Sequence, residues 1–202
     1  YDDGSALASY SNGVVGNGDN PAVITISAGP TYDYLDVPTG GVAKATFTLT
    51  NTGVASSSAM VGAGLTSPYN FEGGTYPGTT GTCTTTLTSG TSCDIVVEFS
   101  PVTTGLQTDD IEINYNDGAN LQTSSITLEG TGVAPGLLDV SAAPLFDYGQ
   151  VPTGSLNSHT FLLTNTGGFS ISALAMGLSI YWAGKTERLF FIRSKIIAYF
   201  LE

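Results

Sequence analysis

The chain repeats itself at an offset of 114 residues (144 − 30), and this repeat constrains its fold more than any other feature. Pro30 to Gly40 reads PTYDYLDVPTG, and Pro144 to Gly154 reads PLFDYGQVPTG. Thr46 to Gly53 reads TFTLTNTG, and Thr160 to Gly167 reads TFLLTNTG. Of the 24 positions from Pro30 to Gly53, 14 are identical in the second copy without a gap. The chain is therefore predicted to be a repeat protein.

The same offset divides the chain into four segments. Residues 1–21 match the end of a repeat, residues 22–135 form one complete repeat, and residues 136–178 match the start of a third. Residues 179–202 depart from the repeat. A unit of 114 residues can bury its own core, unlike the units of about 20–45 residues found in solenoids. We therefore expect a tandem array of units that fold separately.

Composition and patterning predict an all-β fold for the repeat. Gly, Thr and Ser crowd every segment, and β-branched and aromatic residues come in short runs between Gly, Pro, Asn and Asp. Seven or so short strands in about 110 residues indicate an immunoglobulin-like β-sandwich. The expected strands lie near Val23 to Ser27, Tyr32 to Tyr34, Val42 to Thr50, Ala59 to Val61, Cys83 to Leu87, Cys93 to Phe99, Ile111 to Tyr115 and Ile126 to Leu128.

Two segments that end in Gly and Pro are expected to link the units. They read GNGDNP at Gly16 to Pro21 and GTGVAP at Gly130 to Pro135. Linkers this short restrict the motion of one unit relative to the next, so we expect an extended rod.

Charge is unevenly distributed along the chain. Up to Ala183 there are 15 acidic residues and one basic residue, Lys44, which gives −14; the last 19 residues add +2, for a total of −12. Phosphate backbones and anionic membranes repel such a surface, so no nucleic-acid partner is expected. The acidic surface is interpreted as solvated, with cation binding as the alternative. No run of about 20 uncharged apolar residues is present, so no membrane span is expected.

Cys83 and Cys93 are the only cysteines, and nine residues separate them. They flank a turn signal at Ser89-Gly90, and a hairpin there would bring them close enough to bridge. A disulfide closing so short a loop contributes roughly 2–3 kcal/mol and fits an oxidising, extracytoplasmic location. The alternative is a pair of buried free thiols. No further soft ligand lies nearby in sequence, so a metal site is not expected.

Four motifs, in order, resemble a known family: Pro30 to Gly40, Thr46 to Gly53, Gly81 to Pro101, and Gly130 to Gly132. The chain resembles the bacterial choice-of-anchor D repeats, which are immunoglobulin-like domains similar to the ASH and major-sperm-protein group. The resemblance covers the complete repeat and the opening of the third. It implies secreted or surface-displayed bacterial proteins, often long arrays held by a separate anchoring segment, and it carries no catalytic residues and no cofactor.

Residues 179–202 form an atypical tail that contains the only Trp and four of the five basic residues. Leu189, Ile192, Ile196 and Tyr199 have helical spacing, so an amphipathic helix over about Lys185 to Leu201 is one expectation. Three interpretations stay open. The tail is the product of a frame change or truncation, a genuine terminus that packs on the third unit, or an interfacial or partner-binding helix.

No constellation in the sequence predicts catalysis. Ser158 and His159 are adjacent, and adjacent strand residues point to opposite faces, so they do not make a nucleophilic pair. Asp109, Asp110 and Glu112 are weak candidates for calcium ligands, but their spacing matches no known calcium loop. A fourth acidic residue, Asp117, is explained by its turn.

The aromatic, Gly-rich stretch from Tyr69 to Gly81 is the candidate ligand loop, with Tyr69, Phe71 and Tyr76 as its contact residues; core filling is the competing interpretation. The leading hypothesis is a non-enzymatic structural or adhesive repeat of a secreted or cell-surface bacterial protein. The alternative is a module that binds glycans or proteins through this loop, and a third possibility is an accessory domain of an enzyme. Expected partners are neighbouring repeats, other chains through the end units, and an unknown surface ligand.

Overall fold

The computed structural model describes residues 4, 11–16, 18–142, 145–172, 174 and 197–198. The complete repeat forms eight strands: β1 (Ile24–Ile26), β2 (Thr31–Pro38), β3 (Ala43–Asn51), β4 (Ser58–Ala63), β5 (Tyr69–Phe71), β6 (Ser92–Phe99), β7 (Gly105–Asn116) and β8 (Leu121–Val133). They make two four-stranded sheets, in the orders β1-β3-β6-β5 and β2-β8-β7-β4. The expected all-β sandwich is confirmed.

Strict alternation places the core between the sheets. In β3, Ala45, Phe47 and Leu49 are buried while the threonines between them face outward. Strand β6 pairs with β3 over its whole length and buries Ile95, Val97 and Phe99. The opposite sheet contributes mainly isoleucine and leucine, and every member of the core cluster lies between Ala22 and Leu128. The complete repeat therefore closes its own hydrophobic core.

The turn between β7 and β8 is held by an acidic side chain. The Asp117 carboxylate accepts hydrogen bonds from the amides of Ala119 (2.8 Å) and Asn120 (2.6 Å). Gly118 adopts φ +102°, which a residue with a side chain avoids. The turn expected at Asp117 is confirmed, and it joins β7 to β8 as a hairpin.

The first two strands belong to different sheets. β1 pairs antiparallel with β3, whereas β2 pairs parallel with β8, from Thr31↔Thr127 to Pro38↔Val133. The β2 register shifts between Asp33 and Asp36, where Leu35 has φ +61°. This bulge and the two flanking carboxylates make the outer edge of β2 a poor template for a further strand.

The repeat is visible in backbone pairing as well as in sequence. The third segment forms β9 (Leu138–Val140) and β10 (Leu162–Asn165), with β11 (Ile197–Ala198) parallel to β10. β9 pairs with β10 in the register of β1 with β3: Ile26↔Leu49 becomes Val140↔Leu163 at the same offset of 114. The start of the unit is therefore built the same way twice.

Three expectations from sequence need correction, and a fourth falls almost wholly outside the described residues. Residues 83–87 form no strand; they make a single bridge, Ser57↔Leu87. Residues 69–81 are not wholly a loop, since they begin with β5 and a short 3-10 turn (Glu72–Gly74). Residues 130–133 belong to β8 and are not linker. The helix expected over about 185–201 lies outside the described residues except for Ile197–Ala198, which are strand.

Candidate functional site

Two of the three predicted contact residues of the ligand loop are core residues. Tyr69 is 0% exposed, its ring stacks on Phe99 with centroids 4.8 Å apart, and its hydroxyl donates to the Gln107 carbonyl at 2.9 Å. Phe71 is also buried and pairs with Val97 across β5 and β6. The side chains of Tyr69 and Phe71 thus fill the sandwich and present no surface to a ligand, which corrects that expectation.

Tyr76 alone of the three keeps partial exposure. Its ring meets Phe71 edge to face at 5.6 Å, and its hydroxyl donates to the Thr84 carbonyl. Burial raises the pKa of Tyr76 to about 12, so the hydroxyl is protonated at neutral pH. A Cβ on Gly62 would lie 2.4 Å from the Phe71 ring and 2.6 Å from the Tyr76 ring. Glycine in β4 therefore lets this pair lie across the strand.

A disulfide fastens the segment that follows. Cys83 and Cys93 are bonded, with Cα atoms 4.9 Å apart. The amides of Thr82 and Cys83 both donate to the Asp94 carbonyl, and the Met60 amide donates to the Thr85 carbonyl. The segment is thereby fixed between β6 and the outer edge of β4. Covering that edge blocks further strand pairing there.

Lys44, the only basic residue before the tail, is committed to two carboxylates. Its Nζ lies 2.7 Å from Glu72 Oε1 and 3.0 Å from Glu98 Oε1. Glu72 also accepts hydrogen bonds from the amide and hydroxyl of Thr80. Lys44 first, and then Thr80, lower the pKa of Glu72 to about 2, while Glu72 first, and then Glu98, raise the pKa of Lys44. The network joins β3, β6 and the turn after β5.

This network predicts a specific acid titration. Because the folded pKa of Glu72 is depressed, its stabilising contribution is complete above the ordinary value of 4.5 and is lost as the pH falls through about 2. A carbon-detected NMR titration of the Glu72 carboxyl is expected to give a midpoint near 2 in the native protein and a higher one in Lys44→Met. Equal midpoints in the two proteins would contradict the assignment.

The weak calcium candidates are not brought together. Asp109 and Asp110 are neighbours on β7 and point to opposite faces. Asp109 accepts from the amide (2.7 Å) and hydroxyl of Thr66, while Asp110 accepts from the Thr127 hydroxyl at 2.8 Å. Glu112 pairs with Ser125 further along the hairpin. In the described part of the chain, no three His, Cys, Asp or Glu side chains are grouped to hold a metal ion.

His159 belongs to an aromatic cluster in the third segment. Its ring stacks on Phe146 with centroids 3.7 Å apart and meets Phe161 edge to face at 4.9 Å. In the complete repeat, Tyr32 and Phe47 occupy the positions of the two phenylalanines and meet at 5.1 Å. The histidine ring therefore extends an aromatic contact that both units share.

The Asn-Thr-Gly turn does more than the sequence indicated. Asn51 is completely buried, and its Oδ1 accepts from the amides of Val23 (3.2 Å) and Gly53 (3.0 Å). Its Nδ2 donates to the carbonyls of Ala55 (2.9 Å) and Leu87 (3.0 Å). One side chain thus joins the start of the unit, the turn after β3 and the disulfide segment. The sequence signal for this role was the repetition of the asparagine at the same place in each unit.

A pocket of about 540 Å³ lies where the chain enters the complete repeat. Its walls come from residues 20–23, residues 52–54, and Tyr115, Asp117 and Gln122 of the β7–β8 hairpin. The incoming chain is fixed there. The Asn20 carbonyl accepts from the Ala55 amide at 3.0 Å, and the Ala22 amide donates to the Asp117 carbonyl at 2.9 Å.

Comparison with known protein families also indicates an immunoglobulin-like domain. A family model for the HYDIN/CFA65/VesB-like immunoglobulin-like domain matches residues 26–131, just over half of the chain. The chain belongs to the HYDIN/CFA65/VesB-like Ig-like domain family. The match runs from β1 to β8, so the family region coincides with the sandwich.

Solved structures similar to this HYDIN/VesB-like domain come from distant organisms. Vibrio cholerae VesB protease is 14% identical over 54% of this chain and 31% of its own, with a TM-score of 0.44. An ASH/PapD-like domain of human CEP192 is 15% identical over 64% of this chain and 99% of its own, also at 0.44. WR4, a C. elegans MSP family member, is 12% identical over 54% and 96%, at 0.37. The present chain thus spans under a third of VesB. No curated protein sequence matches the chain.

Proposed function

We propose that this HYDIN/VesB-like domain is a non-enzymatic structural repeat in a tandem array of a secreted or cell-surface bacterial protein, of the choice-of-anchor D type. One observation carries the proposal. The Asn51 contacts recur at Asn165, whose Oδ1 accepts from Leu137 and Gly167 and whose Nδ2 donates to Phe169, each partner displaced by 114 residues. A chain that rebuilds the same junction at each unit start is organised as a series of equivalent modules.

The disulfide supports the location. Both cysteines of the chain are used in it, and disulfides persist mainly in oxidising compartments. The described residues include no helix long and apolar enough to cross a membrane. We expect protease treatment of intact cells that make the protein to remove it while a cytoplasmic marker survives, and alkylation before reduction to leave both cysteines unlabelled. Intact protein, or labelled thiols, would contradict the proposed location.

The binding alternative depends on Tyr76, because Tyr69 and Phe71 are enclosed in the core. We expect a glycan array to show no signal above background for the native protein or for Tyr76→Ala. The matched control is Tyr76→Phe, which keeps the ring contact with Phe71 and removes only the hydroxyl. Glycan binding that survives in Tyr76→Phe and disappears in Tyr76→Ala would overturn the purely structural role.

A further inference from the structure

The two ends of the complete repeat carry nearly all of its exposed large apolar side chains. The upstream end is where the chain enters at Ala22, and the downstream end is where it leaves at Val133. Of eight such side chains within residues 22–133, seven lie near the entry or the exit of the chain, and the eighth, Val61, lies on the edge strand β4 opposite Asn114. The upstream set is Val23, Val54 and Leu121, and the downstream set is Leu35, Val42, Val102 and Leu106.

The pocket at the upstream end suits an apolar occupant. Pro21, Val23 and Val54 provide apolar wall. The polar side chains of Thr52, Tyr115, Asp117 and Gln122 beside them have partners within the protein. The Asp117 carboxylate is bonded to two amides and to Gln122 Nε2, and the Tyr115 hydroxyl accepts from the Ile24 amide at 3.3 Å. An apolar side chain that enters the pocket therefore breaks none of these hydrogen bonds.

The link between units places the downstream end of one beside the pocket of the next. Strand β8 is paired to its last residue, Val133 with Pro38, and Pro135 follows two residues later. Pro135 corresponds to Pro21, a wall residue of the pocket (135 − 114 = 21). A Cβ on Gly167 would lie 2.1 Å from the Pro135 carbonyl, as one on Gly53 would from Pro21. Only about 7 Å of chain separates the two units.

Val102 and Leu106 flank this exit. The Gly40 amide donates to the Pro101 carbonyl, and Leu106 pairs with Thr131, two residues before the end of β8. Val102 is 77% exposed and Leu106 is 65% exposed. Both are therefore exposed large apolar side chains near the point where the next unit begins.

We propose that the upstream pocket of each unit seats the Val102 and Leu106 side chains of the unit before it, so that successive repeats interlock end to end. The inference rests on the proposed array and names the surfaces that join it. Each unit of residues 22–135 carries ten acidic residues against Lys44, a net charge of −9, so the contact acts against mutual repulsion. Salt screens that repulsion and therefore strengthens the contact.

The test is a chain in which residues 22–135 are duplicated in place, giving 202 + 114 = 316 residues, compared with the native chain. The interlocked pair is expected to melt roughly 5 °C above the native chain, and more at high salt. The double variant Val102→Asp/Leu106→Asp in the first copy is expected to abolish that increment. The same double variant in the native chain should change the melting temperature by less than about 2 °C, because both side chains are exposed.

The matched control is Val61→Asp in the first copy, an exposed valine on β4 whose partner Asn114 lies at the opposite end of β7 from Leu106. The duplicated chain with this substitution is expected to keep its higher melting temperature. Equal melting temperatures for the duplicated and native chains would overturn the interlock, as would equal losses in Val61→Asp and the double variant. Such a result would leave protease removal from intact cells unchanged, so failure of the joint and failure of the surface role are distinguishable.

Discussion

Asn51→Ala is expected to lower the free energy of unfolding by about 2–4 kcal/mol, since four hydrogen bonds lose one partner at a site with no exposure to water. The alanine leaves two amides and two carbonyls to be satisfied. The Leu87 carbonyl belongs to the disulfide segment, so that segment loosens with the turn. Urea unfolding followed by tyrosine fluorescence measures the loss as a lower midpoint.

The chain contains its own matched control. Asn165 makes the equivalent bonds to Leu137, Gly167 and Phe169, but it is exposed. Water can satisfy those partners after substitution, so Asn165→Ala is expected to change the main unfolding transition by less than about 0.5 kcal/mol. Equal effects of the two substitutions would show that burial at Asn51 is not the source of its contribution.

Removing the disulfide with Cys83→Ala/Cys93→Ala is expected to cost about 2–3 kcal/mol, because the ten-residue separation closes a short loop. The loop it releases covers the edge of β4 through the Met60 amide and the Ser57↔Leu87 bridge. An uncovered edge invites pairing between chains. The variant is therefore expected to self-associate more readily as well as to melt earlier.

Two measurements separate these effects. At low protein concentration, the melting temperature of the variant is expected to be roughly 10–20 °C below that of the native protein. Sedimentation at increasing concentration should reveal oligomers of the variant and none of the native protein. Reduction of the native protein should reproduce both changes. Equal melting temperatures for the variant and the native protein would show that backbone hydrogen bonds hold the segment without the disulfide.

Much of the sandwich could be predicted from sequence because its central strands alternate strictly. Phe47 and Leu49 on β3, and Ile95, Val97 and Phe99 on β6, recur at every second position, so their shared inward face could be predicted. Cysteines flanking a turn signal likewise gave the disulfide without structural information. The local sequence pattern was sufficient to predict burial wherever one face of a strand lies in the core and the other faces solvent.

Prediction failed where distant residues decide the role of a local segment. Gly130 and Gly132 resemble linker, yet they pair with β7 as part of β8. They are glycine because a Cβ would meet the Phe99 ring at 2.6 Å and the Thr103 carbonyl at 2.1 Å. Tyr69 and Phe71 lie in a glycine-rich stretch that resembles a loop, but they pair with β6 and form the edge strand β5. Their period-two spacing was the one signal that favoured a strand.

The parallel pairing of β2 with β8 bears on how a unit resists tension. In the proposed array, tension on the upstream end of a unit would reach β2 through β1, which pairs with β3, while tension on the downstream end would draw β8 forward. Because the two strands run side by side from Thr31↔Thr127 to Pro38↔Val133, the load acts along them in shear, and the ladder must yield as a group. An antiparallel pair pulled from one end would instead open one bond at a time. The placement of these two strands in one sheet would therefore let the unit bear tension in the proposed array.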